Sequence, residues 1–259
     1  MLYDYEYFKK EVFALTGIDL SSYHESQMKR RIDTLIGKHK ITGYDRYAQL
    51  LRTDRERFEE FVNYLTINVS EFYRDPEQWR VMEREIIPEL IGKFGKNLRV
   101  WSAACSTGEE PYSLVMALSR HLPLGCIKVY ATDIDRQVIE KAKIGLYSEK
   151  SVLSVPEELK RRYFRKSGAF YQISDEIKSR VEFGRHNLLR DTYPGNYNLI
   201  VCRNVLIYFT EEAKDRVYRK FYQSLAAGGI LFIGSAEQVM NHKAIGYVKK
   251  KSLYYEKPA

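Results

Sequence analysis

The sequence predicts an α/β protein, a mostly parallel sheet with helices on both faces, preceded by an all-helical segment. Up to about Asn68 every apolar pattern has helical spacing. From about Asn97 short apolar runs alternate with helical patterns, the grammar of a parallel sheet. Tyr147 to Arg180 breaks that alternation with a charged helix, VPEELKRRYF, and a hairpin-like stretch, SGAFYQISDEI. This part reads as an insertion on the sheet domain.

The first helix runs from Asp4 to about Leu15, with Tyr5, Phe8, Val12 and Leu15 at helical spacing and Gly17 as a stop. The second starts at Ser22, three residues before Glu25 in a capping-box pattern, and carries Met28, Ile32, Leu35 and Ile36 until Gly37 ends it. A third carries Tyr44, Tyr47, Leu50 and Leu51, and a fourth Phe58, Phe61, Val62 and Leu65. Short connections between them imply a small bundle. Sheet elements are then expected at Leu98 to Trp101, Lys128 to Thr132, Tyr197 to Cys202 and Gly229 to Gly234. Helices are expected through Pro111 to Leu122, Arg136 to Gly145 and Glu211 to Leu225.

Composition bounds the partners. No apolar run is long enough to span a bilayer, and MLYDYEYFKK does not read as a secretory signal. Cys105, Cys126 and Cys202, an odd number, read as reduced thiols, so a cytoplasmic location is expected. The formal charge of +8 favours an acidic partner, which nucleic acid, anionic lipid or an acidic protein would satisfy equally. The histidines and cysteines show no metal-ligand spacing, so no metal is expected.

Four motifs carry chemistry. In VWSAACSTGEEPYS (Val100 to Ser113) a buried strand enters a loop of small residues and then a helix. Small residues let the backbone approach a ligand, and the helix start offers unpaired N–H groups. Glu109 and Glu110 would repel a pyrophosphate but suit a cation. An ordinary polar-capped turn would read the same way. In VYATDID, an acid at the end of the second strand is placed to accept ribose hydroxyls. Asp133 is the candidate, and Asp135 reads better as a helix cap. NLIVCRNVLIYF ends a strand at Cys202, Arg203 and Asn204, with Tyr208 one helical turn on; a core aromatic is the plainer reading of Tyr208. TINVSEFYRDP joins the two regions and sets Ser70 and Arg74 four apart.

Together SAACSTGEEPYS, ATDID, CRNVLIYF, NVSEFYRDP, GSAE (Gly234 to Glu237) and MKRR (Met28 to Arg31) resemble the chemotaxis receptor methyltransferases, the CheR family, over nearly the whole chain. The resemblance implies a class I S-adenosylmethionine-dependent methyltransferase with a Rossmann-like sheet. It places an N-terminal helical recognition domain at residues 1–70 and a linker helix region at 71–96. The methyltransferase domain is placed at 97–259, with an inserted β-subdomain at about 147–180. It implies methyl transfer to receptor glutamates, giving methyl esters and S-adenosylhomocysteine. By position the donor would contact Asn68, Ser70, Arg74, Glu110, Asp133, Asn187, Leu188, Arg203 and Asn204; relatives often have threonine at Ser70. Arg74 and Tyr208 match the pair that holds the substrate carboxylate. Lys29, Arg30 and Arg31 match the basic helix that docks on the cytoplasmic helical region of the receptor, and they lie off the apolar stripe, so they should face solvent. Some relatives grip a receptor C-terminal pentapeptide with a glycine-expanded hairpin. Here RKSGAFYQISDE is shorter, so no tether is expected.

A nucleic-acid methyltransferase is the main alternative, since sheet and charge would suit one. CRNVLIYF lacks the prolines that usually follow the strand-end Asn or Asp in base amino-methylation, and the basic residues cluster on one short helix. A binding module that senses the donor without catalysis would not need Arg74 and Tyr208. No direct membrane insertion is expected.

Overall fold

The computed structural model describes residues 4–259. The chain forms two compact units: the segment ending at Asn68 together with Tyr208–Arg216, and Val69–Ile207 with Val217–Ala259.

The first unit is built on helices α1 (Tyr5–Thr16), α2 (Glu25–Lys38), α3 (Tyr44–Thr53) and α4 (Arg55–Thr66). Asp4 caps α1 by accepting from the Tyr7 amide at 3.0 Å, and Gly17, at φ 76°, closes it. Phe8 is fully buried, and its ring lies 5.2, 6.1 and 5.9 Å from Tyr44, Tyr47 and Phe61. One aromatic cluster therefore ties α1, α3 and α4. The expected capping box is not formed. Ser22 sits in a 3-10 turn, Leu20–Ser22, and donates to Asp19, while His24 precedes α2 with no side-chain cap. Gly37 does not end α2 either; the helix continues to Lys38, since one glycine costs only about 1 kcal/mol in a packed helix. The segment from Tyr208 joins this unit by pairing: Tyr23 bridges Phe209 antiparallel with rings 4.9 Å apart, and the His24 amide donates to the Tyr208 carbonyl at 3.0 Å.

The second unit opens with α5 (Pro76–Val81), a π-helical turn (Met82–Ile86) and α6 (Ile87–Phe94). Pro88 lacks an N–H, and the widened turn precedes it directly. The strands are β1 (Arg99–Ala103), β2 (Lys128–Asp133), β3 (Leu146–Ser148), β4 (Phe164–Ser167), β5 (Phe170–Ile173), β6 (Val181–Arg185), β7 (Tyr197–Cys202), β8 (Leu225–Ile233), β9 (Val248–Lys251) and β10 (Tyr254–Glu256). The intervening helices are α7 (Glu109–Leu118), α8 (Arg136–Ile144), α9 (Glu157–Tyr163), α10 (Asp175–Lys178), α11 (Glu211–Ser224) and α12 (His242–Ile245). α11 belongs to the first unit up to Arg216 and to the second from Val217.

The main sheet has the order β6-β2-β1-β7-β8-β10-β9. β6 through β8 are parallel, and β10 and β9 add an antiparallel edge. Three strands of it, β6, β9 and β10, lie outside the sequence expectation: the VEFGR run is at best half-buried, β10 is only three residues long, and β9 is a lysine-rich edge. The insertion is a small antiparallel sheet, β3-β5-β4, with α9 preceding its hairpin. The strand order reverses between β1 and β7: β1, β2 and β6 step outward one way, and β7 and β8 the other. In an open parallel sheet the crevice at such a reversal, beyond the strand C-termini, is where ligands bind. The class I Rossmann-like architecture with an inserted β-subdomain is thus present.

Candidate active site

The loops after β1, β2 and β7 emerge side by side at the reversal. After β1 the backbone takes positive φ at Ala104 (101°), Ser106 (46°) and Gly108 (95°). Non-glycine residues pay for such geometry only where the surroundings enforce it. Here the Ala104 and Cys105 amides both donate to the Thr132 carbonyl at 2.8 Å, and the Ser106 amide donates to Asp133 at 2.9 Å. A Cβ at position 108 would come within 2.9 Å of Ala142 and of the Tyr147 hydroxyl, so glycine is required. Helix α7 starts at Glu109, two residues before the expected Pro111, because Gly108 supplies the turn into it.

Asp133 ends β2 and is buried. It accepts the amides of Ser106 and, at 3.0 Å, Asp135. Burial pushes its carboxyl up to about 6, against those backbone donors. Asp135 caps α8 by accepting from the Gln137 amide at 2.8 Å, as expected. Glu110 accepts from the Ser102 hydroxyl at 2.8 Å, and loss of water pushes it up to about 7, with Arg203 and Arg74 pulling the other way. Glu109 is a different case. It is buried, bonded by Thr107 at 2.6 Å and by the Ser70 hydroxyl, and so tied into the loop.

Arg74 lies between two residues at positive φ, Tyr73 and Asp75, and is half-buried. Its carbonyl accepts from the Trp79 indole at 2.9 Å, which fixes the backbone and leaves the guanidinium only a long 3.4 Å bond to the Val69 carbonyl. Asp75 binds Arg203 at 2.6 Å, and Arg203 is buried with its guanidinium 4.6 Å from the centre of the Phe232 ring. Asn204 follows at φ 60°. The loop is held by Glu237, whose carboxylate accepts the amides of Asn204, Val205, Leu206 and Gly234 at 2.7–3.0 Å. Sequence reasoning passed over Glu237 as a single residue; its only signal was the motif GSAE.

His186 joins this end of the sheet, its amide donating to the Asp133 carbonyl at 2.9 Å. Asn187 follows, with its side-chain oxygen accepting from the Leu189 amide at 2.9 Å. Leu188 is buried, and its carbonyl accepts from Tyr193.

The remaining candidates lie in the first unit. Asn68 donates to the Thr66 hydroxyl at 2.8 Å. Tyr208 is half-buried and lines a groove of about 400 Å³ with His24, Gln27, Arg30, Arg31 and Tyr64 among its walls. Lys29 and Arg30 are exposed, as their place off the stripe requires. Arg31 is a correction: it is only half-exposed, stacks 4.6 Å from the Tyr64 ring centre and donates to the Tyr64 carbonyl, so it braces α2 against α4.

The second-unit residues fit a cationic, hydroxyl-bearing ligand. Asp133 and Glu110 are carboxyls pushed up by burial; Arg203 and Arg74 pull Glu110 back, and backbone amides do the same for Asp133. Asn204 Oδ1, Arg203 Nε and Ser106 Oγ are buried without hydrogen-bond partners, which a native fold normally avoids. The Cys105 and Cys202 thiols are buried and pushed well above their ordinary range by burial, so they pack rather than react. Among the described residues no group of three or more His, Cys, Asp or Glu is placed to hold a metal ion.

Comparison with known proteins gives two family matches: the CheR methyltransferase all-alpha domain over residues 3–66, and the CheR methyltransferase SAM binding domain over residues 68–254. A chemotaxis protein methyltransferase of Listeria innocua is 42% identical over 254 residues, covering 98% of this chain and 97% of the relative. Chemotaxis protein methyltransferase 1 of Pseudomonas aeruginosa is 35% identical, covering 92% and 91%. The chemotaxis protein methyltransferase of Salmonella typhimurium is 34% identical, covering 89% and 82%.

Proposed function

The chain belongs to the CheR methyltransferase family, and from that premise we propose that it methylates the γ-carboxylates of glutamates on the cytoplasmic helical region of chemotaxis receptors. That it is an S-adenosylmethionine-dependent methyltransferase follows from the family. The observation that carries the site assignment is the pair of carboxyls raised by burial, Glu110 and Asp133, beside three unpartnered buried polar atoms at the sheet reversal.

In this reading Asp133 accepts the ribose hydroxyls, and Glu110 balances the positive charge of the donor. Arg203 and Asn204 supply polar atoms that the fold leaves unpaired, and the family pattern adds Asn68, Ser70, Asn187 and Leu188 as donor contacts. The donor supplies a methyl group on a sulfonium, whose departure leaves a neutral thioether, S-adenosylhomocysteine. A glutamate with a free pKa of about 4.3 is already an anionic nucleophile at neutral pH, so the chain need not supply a general base. Nor does a neutral leaving group need an acid or a metal. What remains is placement, which is worth roughly 7–11 kcal/mol when the geometry is right. Arg74 is suited to hold one carboxylate oxygen, because its backbone is fixed and its guanidinium is nearly free. The family pattern assigns Tyr208 a hydrogen bond to the substrate carboxylate. Lys29 and Arg30 dock the acidic receptor helices. The two-residue turn of the β4–β5 hairpin, Gly168 and Ala169, supports docking without a C-terminal tether.

The test is methyl-tritiated donor offered to a receptor cytoplasmic fragment, RNA and DNA in parallel. The reading expects label in the receptor fragment alone. Label in nucleic acid would replace it with a base methyltransferase, and binding of donor with no transfer would make the protein a sensor.

A further inference from the structure

Glu237 lies thirty-three residues beyond Asn204, yet its carboxylate carries more backbone bonds than any other side chain described at this end of the sheet. Oε2 accepts the amides of Asn204 at 3.0 Å and Gly234 at 2.7 Å; Oε1 accepts those of Val205 at 3.0 Å and Leu206 at 2.8 Å. The side chain is nearly buried, at 9% exposure. Four converging N–H groups satisfy a carboxylate fully, and each charge-assisted bond is about twice as strong as a neutral one. The grip falls on a tight turn: Asn204 sits at φ 60°, in the left-handed region that asparagine adopts more readily than other side-chain-bearing residues, and the Glu237 carboxylate holds it there.

The opposite wall is Gly234. A Cβ there would meet the Asn204 amide nitrogen at 2.7 Å, the Asn204 Cγ at 2.9 Å and Glu237 Oε2 at 2.9 Å. Asn204 is therefore clamped between a glycine with no room for a methyl group and a carboxylate that fixes its backbone. The result of the clamp is a side-chain oxygen, Asn204 Oδ1, that is buried and has no partner. Ordinary folding would let the amide rotate or the turn relax to satisfy it. Glu237 also lies close enough to Glu110 to act on it electrostatically, so the clamp is at the proposed donor site and not remote from it.

We infer that Glu237 is a positioning residue for the methyl donor: with Gly234 it locks the Arg203–Leu206 turn so that the Asn204 side chain is presented, pre-oriented and unpaired, to the bound donor. This rests on the donor site assigned above. Preorganisation of this kind shows as donor affinity and not as turnover once the donor is saturating.

The experiment is a double-mutant cycle on the full chain, read by calorimetric titration with S-adenosylhomocysteine and by melting temperature. Glu237→Gln keeps the shape but turns an NH2 group toward amide donors. It should weaken binding at least about tenfold, as loss of a charge-assisted bond does. Asn204→Ala should weaken it similarly. If Glu237 acts through Asn204, then Glu237→Gln in the Asn204→Ala background should add less than about threefold. Full additivity of the two losses would overturn the inference, and so would unchanged affinity in Glu237→Gln. Gly234→Ala presses on the same turn without removing charge, and it decides the matter if Glu237→Gln does not fold: weakened binding with a cooperative melt supports the clamp, and unchanged binding refutes it. Failure of both variants to fold would make the carboxylate a determinant of the fold and overturn the positioning role. Absence of binding by the unaltered protein would instead remove the donor site itself, a result the cycle keeps separate.

Discussion

Asp133 and Glu110 are the two carboxyls on which the proposed donor site rests. Both are carboxylates held above their ordinary range by burial, Asp133 at about 6 and Glu110 at about 7. Burial favours the neutral form of each, so a cation bound beside them, as proposed for the donor, would draw them back toward the ionised form. Asp133→Ala and Glu110→Ala should each weaken S-adenosylmethionine binding by about 1.5–3 kcal/mol, read by calorimetry; unchanged affinity in both would remove the site. The same groups set a pH dependence. A cation favours their ionised forms, so binding lowers both pKa values and releases protons. Donor affinity should therefore rise with pH through about 6 to 7 and level off above, by at most about tenfold per pH unit for each carboxylate. Turnover at saturating donor should stay nearly flat from pH 6 to 8, because the glutamate nucleophile is ionised throughout. Affinity that is flat across this range, measured by titration in a pH series, would mean that these carboxylates do not face the donor. Asp133 was legible in the sequence because a strand-end acid has a fixed place in such sheets. Glu237 was not, because its partners lie at 204–206 and at 234, a proximity that only the closed sheet creates.

Helix α2 divides its basic residues by face. Lys29 and Arg30 are exposed, whereas Arg31 is half-exposed and bound to Tyr64 of α4. The apolar stripe was readable from spacing and is buried at Met28, Ile32, Leu35 and Ile36. The bracing role of Arg31 was not readable, since a long side chain can turn back along its helix to a neighbour that the sequence does not identify. The double variant Lys29→Glu with Arg30→Glu should lose receptor methylation while keeping donor affinity and stability within about 0.5 kcal/mol of the parent. Arg31→Glu should instead cost about 1–2 kcal/mol of stability. Chemical denaturation and methylation assays on the same samples separate the two, and full activity of the double variant would return Lys29 and Arg30 to a merely solvated face. The inserted sheet gives the second expectation at this scale. Its hairpin turns through Gly168 and Ala169 alone between Ser167 and Phe170. Removing the last residues of a cognate receptor should leave its methylation rate within about twofold, on the ordinary range for surface changes outside a binding site. A large loss, restored by returning the native tail, would show a tether. Alternation announced β1, β2, β7 and β8, but not β6, β9 and β10: the first carries too little apolar patterning to stand out, and the last two take their place by pairing, β10 on β8 and β9 on β10.

Across the whole molecule, the sheet order concentrates three strand-end loops at one reversal and so sets the site before any ligand arrives. The net charge of +8 adds long-range attraction for an acidic partner. No helix among the described residues is long and apolar enough to cross a membrane. These features favour capture of an acidic surface, but they do not name the bond that is made. That bond is the central claim, a γ-glutamyl methyl ester formed by an unassisted carboxylate. The direct measurement is alkali treatment of receptor fragment labelled by this enzyme with methyl-tritiated donor, followed by counting of volatile methanol and mapping of the labelled peptide. The account predicts that nearly all label is released as methanol and that untreated label maps to glutamate. Label that stays on the fragment in alkali, as a methylated amine would, would contradict it.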